Sequence, residues 1–160
     1  MGSSNLAQSF KHAAEGIAKA IEAERNLKIH FVIGGIVLLL SLFLDIPRED
    51  TLWLIFAVFS VIGAELINTL VEGLMDVYSS EYNPMIKFIK DVSAGIVLWY
   101  TLFSVVVGVT ILGKAFFGWK ETVGKIFALI SLVIFPALLI WEAVRANGRK
   151  PRQNKSDDSR

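Results

Sequence analysis

Residues 51–76 read TLWLIFAVFSVIGAELINTLVEGLMD, and this stretch decides the class of the molecule. From Thr51 to Ala64 it carries no charge. Such a helix belongs in a bilayer, whose hydrocarbon core takes ~20 apolar residues to cross. The remainder breaks that pattern. Glu65, Asn68, Glu72 and Asp76 follow one another at steps of three, four and four. At ~100° per residue they fall within a sector of about 80° on one face. Charged side chains inside a spanning helix cost ~2.5–3.5 kcal/mol each on insertion scales. One amide or one acid could serve as a hydrogen bond between helices. Three acids on one face each need a cation or a proton, so the stripe marks a function.

The flanking segments extend the membrane reading. From Asn5 to Lys28 the chain predicts an amphipathic helix: Leu6, Phe10, Ala13, Ala14, Ile17 and Ile21 recur at helical steps, while Lys11, Glu15, Lys19 and Glu22 fall elsewhere on the wheel. Just ahead of a spanning segment, such a helix is expected to lie in the membrane interface. Ile29 to Leu44 holds no formal charge apart from His30, and it spans if the preceding helix continues into it. Pro47 and its charged neighbours break it. After the polar loop from Tyr78 to Pro84, a third span is expected over about Val92–Leu112 and a fourth over about Ile126–Trp141, separated by a polar-punctuated loop from Gly113 to Lys125.

Composition agrees. Of the 160 residues, 54% are hydrophobic, against ~45–50% in ordinary domains, and the mean hydropathy is +0.55. A net charge of +1 gives no bulk attraction for nucleic acid. The absence of cysteine excludes disulfides, thiolate metal sites and thiol nucleophiles. Residues 1–23 show no apolar core or cleavage site of a signal peptide.

Lysine and arginine set the orientation. With four spans and a cytoplasmic N-terminus, twelve basic residues lie inside, six of them in the tail from Arg145 to Arg160. Four lie outside: Arg48, Lys114, Lys120 and Lys125. The expected organisation is an all-α integral membrane protein. It has an amphipathic interfacial helix (1–28), a three-span body (29–112), an external loop with a further transmembrane helix (113–144), and a basic disordered cytoplasmic tail (145–160).

The acid stripe rises from the inner end of its helix, with Glu65 two to three turns deep and Asp76 near the headgroups. Glu24 lies on the apolar stripe of the first helix, seven residues after Ile17, and so is expected to point toward the protein at the same level. Lys90 and Asp91 arrive there at the start of the third span. Carboxylates with a lysine at a membrane boundary suit phosphoryl transfer. Acids hold Mg²⁺ together with substrate phosphates. The cations neutralise a nucleotide, and a deeper acid takes the proton of an attacking hydroxyl. At that depth the hydroxyl would belong to a lipid.

At these residues the chain resembles the small bacterial integral-membrane lipid kinases, comprising diacylglycerol kinase and its Gram-positive relative undecaprenol kinase. The segment from Glu65 to Asp76 is similar to the family signature E-x-x-N-(S/T)-x-x-E-x-x-x-D. Lys90-Asp91-Val92-Ser93-Ala94-Gly95 looks like its second block, and Glu24-Arg25-Asn26-Leu27-Lys28-Ile29-His30 resembles E-R-N-F-(R/K)-I-H of the Gram-positive branch. Together they cover about residues 10–112. The resemblance implies an ATP-dependent kinase body over 29–112. Glu65 would be the general base on the lipid hydroxyl, with Asn68 beside it. Glu24 and Glu72 would ligate Mg²⁺ carrying ATP, and Asp76, Lys90 and Asp91 would bind or position the nucleotide. It further implies a homotrimer with sites shared between subunits, in the bacterial plasma membrane with its active site at the cytoplasmic face. His30 stands where the Gram-negative branch has another acid, which favours undecaprenol over diacylglycerol. The fourth span and the tail lie beyond the usual three-helix body.

The rival reading is a small proton-coupled transporter, which predicts acids near the midplane; here they crowd toward one end. The stretch from Gly108 to Ala115 nearly matches a P-loop, but Ala115 replaces Ser or Thr and no strand precedes it. His12 and His30 have no zinc-ligand spacing.

Overall fold

The computed structural model describes residues 3–79 and 81–148, with side chains from Asn5 to Arg145. Five helices follow one another: α1 (Ser3–Ala23), α2 (Arg25–Ser41), α3 (Arg48–Tyr78), α4 (Pro84–Phe117) and α5 (Glu121–Gly148). Among the described residues there is no strand. The helices α3, α4 and α5 are each long and apolar enough to cross a membrane. At ~1.5 Å per residue, the 34 residues of α4 reach about 51 Å, well beyond a ~30 Å hydrocarbon core. The 17 residues of α2 reach only about 25 Å, and the apolar turn Leu42-Phe43-Leu44 prolongs it.

Most large apolar side chains face outward, Phe59, Leu132 and Ile140 among them. In water that surface would aggregate, whereas in lipid it is the solvated one. The small core consists of Leu27, Leu54, Ala57, Val61, Ala64, Ile86 and Ile111. It centres on α3, which packs against both α2 and α4, while α5 leans chiefly on α4, with the Trp99 and Phe135 rings 6.2 Å apart. Small residues let the backbones approach, and the Ser104 hydroxyl crosses from α4 to donate to the Ala57 carbonyl at 2.8 Å.

Gly34 shows how close α2 lies to α3. A Cβ there would sit 2.6 Å from Val58 Cγ1, a stiff β-branched neighbour, whereas one on Gly35 would meet nothing within 4 Å. Gly34→Ala is therefore expected to destabilise the protein by about 1–3 kcal/mol through overpacking. Gly35→Ala should be neutral or slightly stabilising. Thermal unfolding of both variants in detergent checks this, and equal midpoints would mean that α2 moves aside freely.

Three expectations are corrected. The first helix does not run from Asn5 to Lys28. It stops at Ala23, Glu24 takes an extended conformation (φ −101°, ψ 121°), and α2 starts afresh at Arg25. The Lys28 ammonium donates to the Glu22 carbonyl at 2.8 Å, capping the end of α1. Leu6, Phe10 and Ile17 on its apolar stripe remain exposed.

The expected loop from Gly113 to Lys125 shrinks to residues 118–120. Gly118, with φ 62°, closes α4 in the left-handed conformation by donating its N–H to the Lys114 carbonyl at 3.0 Å. Lys114 and Lys125 lie instead on helix ends long enough to emerge from the hydrocarbon, and Lys120 stays in the short loop. The tail is helical as far as Gly148 rather than irregular from Arg145, and the rest of the expected disordered tail, 149–160, lies outside the described residues.

The other boundaries follow from local chemistry. Pro47 precedes α3, whose first turn carries Glu49 and Asp50 against the positive end of the helix dipole. Asn83 Oδ1 accepts from the Met85 N–H at 2.8 Å, with Pro84 in the first helical position.

Candidate active site

The polar stripe of α3 meets the start of α4 on one side and the α1–α2 junction on the other. Glu65 is its deepest member and one of the most buried side chains of the protein, 2% exposed. The charges that reach it are those of His30, Glu24 and Glu72, and the Asn26 side chain lies beside it. From Glu65 to Asp76 the stripe climbs about 16 Å, and its acids become progressively more exposed: Glu72 is half-buried and Asp76 open.

Glu24 joins this cluster, though not through a continuous apolar stripe. The extended residue between α1 and α2 brings it there, half-buried, while Leu27 on the next turn is completely buried and anchors α2 beside it. Among the described residues, none of Glu24, Glu65 and Glu72 has a lysine or arginine within ion-pair distance. Among the described residues, His30 is the basic side chain close to Glu65. Three carboxylates are thus held together with little compensating charge, which costs stability unless protons or a cation from outside join them.

Asn68 bridges the stripe to α4. Its Nδ2 donates to Glu72 Oε1 at 2.9 Å, and the Ser93 hydroxyl reaches its Oδ1 at 2.7 Å. One turn nearer the helix end, Lys90 is ion-paired with Asp76 across the α3–α4 contact. Asp91 is not drawn in. It faces the other way and pairs with Lys87 at 2.5 Å on an exposed surface. Among the residues singled out in the sequence, Glu24, Glu65 and Glu72 share one neighbourhood, Asn68 adjoins Glu72, Asp76 meets Lys90, and Asp91 stands apart.

Three members of the site were given no role from the sequence: His30, Asn26 and Ser93. His30 and Asn26 lie within the Glu24–His30 block and carry a faint signal as polar residues at the root of an apolar helix. Ser93, 5% exposed, lies within the Lys90–Gly95 block, one turn after Lys90, and those are its sequence marks.

No group of three among the described His, Asp and Glu residues is close enough to cage a metal by itself. The donor set is instead two oxygen-bearing acids, Glu24 and Glu72, around a third. Mg²⁺ is commonly held by one or two carboxylates, its other positions being taken by water and substrate phosphates. Two acids of this kind could supply a magnesium ion with part of its oxygen ligands, the rest coming from outside the protein. A cavity of about 460 Å³ begins at His30 and at Val61, one turn before Glu65 on α3, and continues between α2, α3 and α4 past Gly34, Ala57 and Gly108 to Leu112, lined almost wholly by apolar atoms.

Comparison with known proteins bears on this arrangement. A family model described as prokaryotic diacylglycerol kinase matches residues 11–112. The undecaprenol kinase of Bacillus subtilis is 27% identical over 104 residues, covering 65% of this chain and 85% of that protein. A diacylglycerol kinase of Synechocystis sp. is 31% identical over 105 residues, covering 65% of this chain and 60% of that protein. The family match includes every candidate site residue and ends before α5.

Proposed function

The chain belongs to the prokaryotic diacylglycerol kinase family and is a membrane lipid kinase with ATP as phosphoryl donor, and from that premise we propose that it phosphorylates undecaprenol in preference to diacylglycerol, with Mg²⁺. The observation that carries the mechanism is the buried Glu65 carboxylate gathered with Glu24, Glu72 and His30, the last of which also lines an apolar cavity between the helices. Supporting the choice of lipid are the Glu24–His30 block, with a histidine at position 30, and the likeness to an undecaprenol kinase.

The lipid lays its tail in the apolar cavity and presents its hydroxyl to Glu65. The carboxylate takes the hydroxyl proton while the oxygen attacks the γ-phosphorus of ATP. The bond from that phosphorus to the β–γ bridging oxygen breaks, and ADP leaves with the electron pair. Asn68 holds Glu72 in place. Glu24 and Glu72 would hold a magnesium ion, which would supply neutralisation of charge on the phosphate oxygens. Lys90 exchanges its contact with Asp76 for the nucleotide phosphates, and Asp76 positions the remainder of the nucleotide, while Asp91, paired with Lys87, takes no part.

The reaction takes place at the cytoplasmic face of the bacterial plasma membrane, where ATP is present. In this reading α2 with its apolar turn is the first of four spans, and both termini lie inside, in keeping with the lysine and arginine distribution. The working unit is a homotrimer with sites shared between subunits, a reading that rests on the family resemblance. The proton-coupled transporter weighed on the sequence is set aside, since the family is one of lipid kinases.

The purified protein in detergent, given radiolabelled ATP and Mg²⁺, should label undecaprenol faster than diacylglycerol when the two are offered in parallel. Label chiefly in diacylglycerol would keep the mechanism and overturn the choice of lipid.

A further inference from the structure

We propose that Ser93 is a positioning residue, which fixes the Asn68 amide so that it donates to Glu72 and thereby sets the carboxylate assigned above to magnesium–nucleotide binding. The inference rests on that assignment of Glu72.

Ser93 lies on α4 and is almost completely buried. Its hydroxyl oxygen is 2.7 Å from Asn68 Oδ1 on α3 and 2.9 Å from the Lys90 carbonyl of its own helix. Taken alone, the second contact is the ordinary back-bond of a serine inside a helix. A hydroxyl has one proton, however, and only one of these acceptors can receive it.

The amide decides between them. A carboxylate oxygen in the metal-binding role assigned to Glu72 accepts and does not donate, so the end of Asn68 that faces it, 2.9 Å away, is the NH₂ group. The opposite end, facing Ser93, is therefore the carbonyl oxygen. With the serine proton turned toward Lys90, two oxygens would oppose each other at 2.7 Å with no hydrogen between them. The order of donation is thus Ser93 to Asn68 to Glu72. This relay crosses from α4 to α3 and starts one turn beyond the Lys90–Asp76 ion pair, so it links the nucleotide end of the site to its acid stripe. It also occupies one Glu72 oxygen and leaves the other available. Ser93 touches no reacting group and acts only through Asn68.

Ser93→Ala removes the donor and frees the amide to turn. The test uses the full chain in detergent, with magnesium–ATP varied at a saturating level of whichever lipid, undecaprenol or diacylglycerol, accepts phosphate. Ser93→Ala is expected to raise the KM for magnesium–ATP about 3- to 10-fold, the scale of one buried hydrogen bond, with a smaller change in kcat. Ser93→Thr keeps the hydroxyl and should restore most of the loss. In an Asn68→Ala background, adding Ser93→Ala should have no further effect on KM, because the group it acts through is gone. A Ser93→Ala variant altered only in thermal midpoint, or one whose effect adds in full to that of Asn68→Ala, would overturn the relay. Glu72→Gln measured alongside separates the two possible failures. If Glu72→Gln leaves the KM for magnesium–ATP unchanged, the assignment of Glu72 is lost; if that KM responds to Glu72→Gln but not to Ser93→Ala, only the role of Ser93 is.

Discussion

Glu65→Gln is expected to lower kcat by about 10²–10⁴-fold, the range contributed by a general base, while magnesium–ATP binding stays close to that of the unaltered protein. Glutamine keeps the shape of the side chain and its capacity for hydrogen bonds but cannot take up a proton. The buried position of Glu65 makes the experiment easy to interpret. Beside Glu24 and Glu72, and without a lysine or arginine partner among the described residues, an ionised carboxylate costs stability. Its neutral isostere should leave the thermal midpoint unchanged or raise it. Loss of turnover in a protein at least as stable would then report chemistry rather than folding. Turnover within a few-fold of the unaltered protein would remove Glu65 from proton transfer.

Glu72→Gln should act on the other kinetic parameter. We expect the apparent magnesium affinity to fall by about 10–100-fold, since even groups that merely support metal ligands have effects of that size. The loss should be partly recovered at high magnesium, which Glu65→Gln should not be. Asn68 can still donate to the amide oxygen of glutamine, so the relay from Ser93 remains in place and the change isolates the charge. Titrating magnesium at fixed ATP for both variants tests the division of roles. If both respond to magnesium in the same way, the two acids share a single role and the assignment is wrong.

Much of this site was legible in the chain because helical periodicity alone places Glu65, Asn68, Glu72 and Asp76 on one face. No tertiary information is needed to see that three acids there require protons or a cation. The meeting of Lys90 with Asp76 was legible only in part. Two long helices joined by a short loop must run antiparallel, which brings residues 76 and 90 to the same level, but whether Lys90 or Lys87 faces α3 depends on the rotation of α4 about its axis. Packing of Ile86 and Ser93 against α3 settles that rotation. It turns Asp91 outward to Lys87, against the expectation that Asp91 would join its neighbour.

Glu24 is the opposite case. Neither glycine nor proline stands at the α1–α2 junction, so local signals favoured one continuous helix. The break there accompanies the complete burial of Leu27, which holds α2 against the body while α1 departs in another direction. The loop expected from Gly113 to Lys125 failed for a related reason. Its polar residues interrupt the apolar runs, yet Lys and Glu are good helix formers and need only lie beyond the hydrocarbon. Gly113 also leaves space for Trp119 to fold back, since a Cβ there would collide with the indole.

By itself, then, the sequence determined the solvent, the helical class and the acid face of α3, because transfer to lipid and a period of 3.6 depend on composition and spacing within one segment. Only the tertiary structure decided which acids stand together, which lysine meets Asp76, and that Ser93 meets Asn68. Those depend on where separate helices break, cross and rotate, and each such choice is made by burial of residues such as Leu27, Ala57 and Ile86 at contacts between segments distant in the chain.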